Sequence, residues 1–198
     1  MESAPSGWVA RWAHLAAPGG TVLDVAAGSG RHARWFASLG FRVLAIDRDA
    51  GALASMVGCA GVETLAADIE GAPWPLSKTR TFDAVVVTNY LHRPLFGHLT
   101  DALAPGGVLI YETFAAGNGS TGKPSNPAFL LQPGELLDAV RGRLRVIAYE
   151  DGFVEDPRAA YVQRICAVRE RPAVDASAEN ALTIGNTPPG PPRYALTG

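Results

Sequence analysis

The chain has 198 residues, enough for one domain with a real core and too few for two. Apolar residues make up 47% of it, and no apolar run approaches the ~20 residues that span a bilayer, which argues against both a disordered and a membrane-embedded protein. The net charge is −2 and no block of Lys or Arg offers an electrostatic footprint for nucleic acid.

The opening segment MESAPSGWVARWAHLAAPGG has an early acid and no continuous apolar stretch, so no secretory leader is expected. Trp8, Trp12 and Leu15 fall on one helical face, which predicts a helix within residues 1–20 that covers the core or the mouth of a ligand site. From Thr21 onward, short apolar runs alternate with helical patterns, the pattern of a parallel sheet covered on both faces. TVLDVA reads as a first strand, Arg31 to Leu39 as a helix ended by Gly40, and FRVLAID as a second strand. Asp49 is placed to cap a helix through about Val57, and VETLAAD is a third strand.

IEGAPWPLSKTRT carries two prolines and no helical period, so it reads as a loop crossover. FDAVVVTN is the most hydrophobic strand and is expected at the sheet centre. Pro94 to Leu103 reads as a helix, Pro105-Gly106-Gly107 as a turn, and VLIYETF as a fifth strand. The Gly/Ser/Asn/Pro-rich stretch AAGNGSTGKPSNPAF is a long loop with the composition of a lid. Pro133 suits the first position of a helix running to Val140. LRVIAYE and AYVQRICAVRE are two closing strands whose short DGFVEDPRA connection makes them antiparallel. Residues 171–198 are polar and Pro-rich, a flexible tail or loosely docked arm after a domain of residues 21–170. Cys59 and Cys166 sit in apolar surroundings and read as reduced thiols, consistent with a cytoplasmic location.

In such sheets a ligand lies beyond the carboxyl ends of the strands, where the strand order reverses. Four strand ends carry polar residues there: Asp24, Ala26 and Gly28-Ser29-Gly30; Asp47-Arg48; Asp68-Ile69; and Asn89. Gly28 and Gly30 let backbone approach a ligand, Asp47 suits a ribose diol, and Asp68 an exocyclic adenine amine with the Ile69 backbone against the ring. Gly28-x-Gly30-x-x-Ala33 alone also fits a dinucleotide turn. Asp24 discriminates, because an anion beside the glycine turn repels a pyrophosphate and suits an ammonium or sulfonium.

The motifs VLDVAAGSG, LAID, AAD, FDAVVVTNYLH and LAPGGVLIYETF occur in the order of class I S-adenosylmethionine-dependent methyltransferases, which this chain resembles from Thr21 to about Phe114. AAGSG departs mildly from the commoner loop, with Ala26 and Ala27 where a glycine or cysteine is usual. The resemblance implies a Rossmann-like, three-layer α/β/α fold with a mainly parallel seven-stranded sheet and one antiparallel strand. It also implies S-adenosyl-L-methionine as cofactor and S-adenosyl-L-homocysteine as product. Within that group, GSGRHARWFASLGFRVLAIDRD is similar to small tellurite-resistance-type methyltransferases, where an arginine follows the glycine loop. Arg31 could then hold the cofactor carboxylate.

Methyl transfer from a sulfonium is an in-line displacement that needs alignment and exclusion of water, without a covalent nucleophile; no metal-ligand spacing occurs and no metal is expected. His92 is the candidate catalytic base or acceptor-orienting donor. Arg93, Tyr111, Glu112, Arg158 and Tyr161 are candidate acceptor-binding residues. Asn89-Tyr90-Leu91 is not the Asn/Asp-Pro-Pro-Tyr motif of amino-directed nucleic-acid methyltransferases. The expected activity is methyl transfer to a small-molecule acceptor by a monomer or homodimer, without nucleic-acid or membrane partners. An RNA or protein methyltransferase and an NAD(P)-binding or non-catalytic Rossmann-like domain remain the alternatives.

Overall fold

A computed structural model describes residues 4–172 and 192–196. Seven strands form one sheet: β1 (Thr21–Val25), β2 (Arg42–Asp47), β3 (Val62–Ala66), β4 (Phe82–Thr88), β5 (Leu103–Phe114), β6 (Arg145–Val154) and β7 (Ala160–Val168). Their order is β3-β2-β1-β4-β5-β7-β6, parallel except for β7, which runs antiparallel to both of its neighbours. The order reverses between β1 and β4, which fixes the place where a ligand would enter.

The strands read as unbroken apolar runs because both faces are covered. In β1, Val22 belongs to one core and Leu23 and Val25 to the other. On the first side pack α1 (Gly7–Trp12), α2 (Arg31–Ser38) and α3 (Ala50–Ala54), through Trp8, Val9, Trp12, Ala33, Phe36 and Leu53. On the second side lie α4 (Phe96–Asp101) and α5 (Glu135–Val140), through Leu99, Leu136 and Val140. Alternation of side chains across the sheet therefore builds two cores and three layers.

The caps explain where helices begin. Ser6 accepts from the backbone N–H groups of Trp8 and Val9, and Asp49 from that of Ala52. Such caps are each worth about 1 kcal/mol. Helix α2 has no side-chain cap at its own start, because Gly30 precedes it in a left-handed conformation (φ +82°). The Asp24 carboxylate, reaching across from β1, accepts from the Ala33 N–H at 3.0 Å and supplies that cap from outside the helix.

Several boundaries differ from the expectation. Pro105-Gly106-Gly107 is not a turn between elements; it lies inside β5, where the pairing with β4 shifts register between Phe82 and Ala84. The expected helix from Pro94 is a 3-10 turn at Arg93–Leu95 followed by α4, and α3 stops at Ala54, three residues short of Val57. Pro133 lies outside α5, which starts after Gly134. β6 extends through Val154, so only residues 155–159 connect the final hairpin. Leu15 lies in a 3-10 turn beyond α1 and is partly buried against the same core as both tryptophans.

Among the described residues the 67–81 crossover holds no helix, as its prolines predict. Asp83 accepts from the Thr21 N–H (2.7 Å) and hydroxyl (3.0 Å) and so joins the starts of β1 and β4. Cys59 and Cys166 are both free thiols. Residues 173–191 of the proposed tail lie outside the described residues; farther on, Tyr194 packs against the α1-side core and the Ala195 carbonyl lies 3.1 Å from His14 Nε2.

Candidate active site

A cavity of ≈ 220 Å³ opens at the strand-order reversal, lined by Ala26, Asp47, Arg48, Asp68, Ile69, Glu70 and Tyr90. The ends of β1, β2, β3 and β4 thus converge on one space, and five of its lining residues are among those singled out by sequence. Glu70 and Tyr90 were missed. The signal for them is positional: each follows directly on a strand-end residue already named, Ile69 and Asn89 respectively.

The carboxylates are pre-set by backbone donors. Asp47 accepts from the Gly28 N–H at 2.7 Å and the Asp49 N–H at 2.9 Å, which ties the glycine loop to the end of β2. Asp68 forms an Asx turn, accepting through Oδ1 from Glu70 and Gly71, both at 3.0 Å. Those backbone bonds, that of Gly71 foremost, hold its pKa below the ordinary carboxylate value, with the charges of Arg48 and His92 adding to them. Burial first, then the Glu70 charge, pushes the Tyr90 phenol pKa upward, so its hydroxyl keeps its proton. The Tyr111 hydroxyl donates to the Tyr90 carbonyl at 2.9 Å and anchors that segment.

The two glycines of the loop have different jobs. A Cβ on Gly28 would meet nothing within 4 Å, leaving open space for a ligand beside the backbone. A Cβ on Gly30 would stand 1.9 Å from the Met56 sulfur, so Gly30 is required by packing. Ser29 is exposed, and its carbonyl accepts from the Ser55 hydroxyl. Asp24 is buried; burial raises its pKa to about 7, against the lowering effects of its Ala33 bond and of Arg31. A buried carboxylate beside an open glycine loop fits a ligand that brings a positive charge.

A second polar cluster was not anticipated. His32, the second residue of α2, is buried; its Nε2 accepts from the Ser6 N–H at 3.1 Å and its Nδ1 lies 3.5 Å from the Thr88 hydroxyl. Burial lowers its pKa to about 3, so the ring is neutral. The Ser6 hydroxyl donates to Glu112 at 2.6 Å, and Arg164 donates to the other Glu112 oxygen at 2.5 Å.

The five expected acceptor ligands each have partners of their own. Glu112 is held by Ser6 and Arg164 as described. Tyr111 is a core residue bonded to a backbone carbonyl. Arg93 clamps Glu135 through two bonds (2.6 and 2.9 Å) and also donates to the carbonyls of Ala128 and Leu130. Arg158 lies over the Phe114 ring, and Tyr161 packs edge-on against Phe153. Asn89 is exposed with φ +55°, and His92 is half-buried next to the 3-10 turn that leads into α4. The expected lid, residues 115–129, is fastened rather than loose: Asn118 is buried and bonded to Pro124, Thr121 and Tyr161.

Among the described residues no cluster of His, Cys, Asp and Glu could hold a metal ion, and no helix is long and apolar enough to cross a membrane. Residues 22–107 match the family described as Methyltransferase domain. No protein of curated function matches the chain in sequence. The fold is similar to TehB from Haemophilus influenzae, at 17% identity and TM-score 0.64, over 76% of this chain and 58% of that one. It is similar to an S-adenosylmethionine-dependent methyltransferase from Methanosarcina mazei, at 15% identity and TM-score 0.64, over 81% and 97%. It is also similar to the glycopeptide N-methyltransferase MtfA complexed with S-adenosyl-L-homocysteine, at 18% identity and TM-score 0.57, over 79% and 86%. Residues 22–107 thus match a methyltransferase domain, and the sheet order gives the chain the fold of the similar S-adenosylmethionine-dependent methyltransferases.

Proposed function

We propose that this chain transfers the methyl group of S-adenosylmethionine to a small-molecule acceptor. The carrying observation is the charge of the cavity: Asp47, Asp68 and Glu70 face it with Arg48 as the one cationic lining residue. Three carboxylates repel a pyrophosphate, which disfavours a dinucleotide and suits a cationic cofactor. Asp47 would hold the ribose, Asp68 and Ile69 the adenine, and Asp24 with the Gly28–Gly30 loop the amino-acid end; Arg31 would face its carboxylate.

When bound, the cofactor supplies an electrophilic methyl on a sulfonium. The chain's part is alignment and exclusion of water. Asn89 and His92 stand beyond the end of β4, where they would orient the acceptor, and His92 would take a proton if the acceptor loses one. The segment 1–20 would cover the methionine end, because Ser6 bonds both to His32 at the start of α2 and to Glu112. A small acceptor is favoured because arginines that might track a polyanion are paired with acids, as in Arg93–Glu135, Arg143–Asp101 and Arg145–Glu170.

Calorimetry with S-adenosylmethionine, S-adenosylhomocysteine and NAD(P) tests the reading; binding of NAD(P) with neither sulfur ligand overturns it. Asp47→Ala should weaken S-adenosylhomocysteine about 10- to 100-fold, the loss of one or two charged hydrogen bonds. His92→Ala should lose turnover on an acceptor found by screening labelled cofactor against metabolite pools and RNA, with cofactor affinity near normal. Unchanged turnover returns His92 to a purely local role in the 3-10 turn.

A further inference from the structure

Among the described residues two that are not glycine have positive φ: Ala26 at +54° and Asn89 at +55°. They follow the neighbouring strands β1 and β4, at the strand-order reversal. Asparagine tolerates this region because its short polar side chain bonds locally, but alanine does not; its Cβ crowds the following carbonyl. Glycine would adopt the same φ freely, as Gly28 does two residues later. The turn gives Ala26 no way out. The Ala27 N–H donates to the Ile46 carbonyl at 3.0 Å, the Gly28 N–H to Asp47 at 2.7 Å, and the Gly30 N–H to the Ala27 carbonyl at 2.9 Å. Backbone strain is thus held at one residue, and that residue lines the cavity with Asp47, Ile69 and Tyr90.

We propose that the Ala26 methyl is a fitting group of the cofactor site: it fills space beside the ribose that glycine would leave open, and so sets how large a ligand the cavity accepts. This rests on the S-adenosylmethionine reading above. Its chemistry is steric only, and its position follows from Asp47, which is both a wall of the cavity and the anchor of the loop. A methyl at this point gives contact to an unsubstituted ribose and opposes a substituted one.

The test compares the wild type with Ala26→Gly in two measurements. In thermal melts without ligand, the variant should melt higher, since strain is relieved. In calorimetry it should bind S-adenosylhomocysteine 3- to 10-fold more weakly, while its affinity for the 2′-O-methyl derivative of the same ligand falls less or rises. Discrimination between the two ligands should narrow at least threefold. A looser loop without a fitting role would weaken both ligands equally, so an unchanged ratio overturns the proposal. Equal or tighter binding of S-adenosylhomocysteine by the variant, or a lower melting temperature, overturns it too. If the wild type binds neither ligand, the cofactor reading itself fails, and that outcome is separable from the others.

Discussion

Asp24 carries its carboxylate beneath the first turn of α2, with a pKa of about 7 against an ordinary 3.8. Between those values the folded chain binds the proton more strongly than the unfolded one, so this residue makes stability fall as pH rises from about 4 to about 7. His32 acts the other way. Its folded pKa of about 3 lies below the ordinary 6.5, so its contribution is present above pH 6.5 and is lost as pH falls toward 3. Asp24→Asn keeps an oxygen for the Ala33 N–H and removes the charge. It should stabilise the ligand-free protein at pH 8 by on the order of 2 kcal/mol, with little effect at pH 4, and weaken S-adenosylmethionine at least tenfold. Melts at the two pH values and calorimetry check this; lower stability at pH 8 would show that Asp24 is not held at a cost. The place of Asp24 before the glycines made it a candidate site residue. Its capping of α2 was not legible, because the Ala33 N–H that it accepts from belongs to another element.

At the level of elements, Gly28 and Gly30 look alike in sequence and are not interchangeable. Gly30→Ala drives a methyl into Met56 and should destabilise the fold by about 3 kcal/mol or more. Gly28→Ala meets open space and should cost about 1–2 kcal/mol in backbone strain, while blocking cofactor binding. Chemical denaturation and S-adenosylhomocysteine titration of both variants separate the two effects; equal stability losses would refute the division. The segment 115–131 shows where sequence reading ran out. Its composition spells mobility, yet Asn118, Arg93 and the Ala115–Leu131 bridge pin it. The Asn118–Tyr161 and Arg93–Ala128 bonds join residues far apart in the chain, which composition cannot reveal. Arg93→Ala should release this segment, giving faster limited proteolysis within residues 115–131 and unchanged cofactor affinity. Proteolysis at the wild-type rate would mean that Asn118 alone suffices.

At the scale of the whole molecule, the sheet was legible because strands covered on both faces leave continuous apolar runs, and turn residues mark their ends. The cavity was legible for a related reason: its lining residues follow strand ends, at fixed places in the chain order. Side chains of α1, β5 and the final hairpin take partners set by tertiary packing. Arg93, Tyr111, Glu112, Arg158 and Tyr161 were named as acceptor candidates from topology alone. Their bonding partners were invisible, and those partners occupy them.

The seat of α1 has a consequence for how the chain folds. Trp8 donates its indole N–H to the Ile165 carbonyl, 157 residues away, and Ser6 reaches Glu112 across 106. Contacts that close such long loops carry their entropic cost before they return any stability, so they form late. The central β1–β4 pair depends on no part of the final hairpin, whereas α1 packs against β5 and is tied to β7 through the Trp8–Ile165 bond. During folding α1 is therefore seated late, after the strands it packs on. Its two tryptophans stay uncovered until those strands have formed, and pulse-labelled amide exchange during refolding should protect β1 and β4 before α1. Simultaneous protection would indicate that the sheet and its first helix condense together.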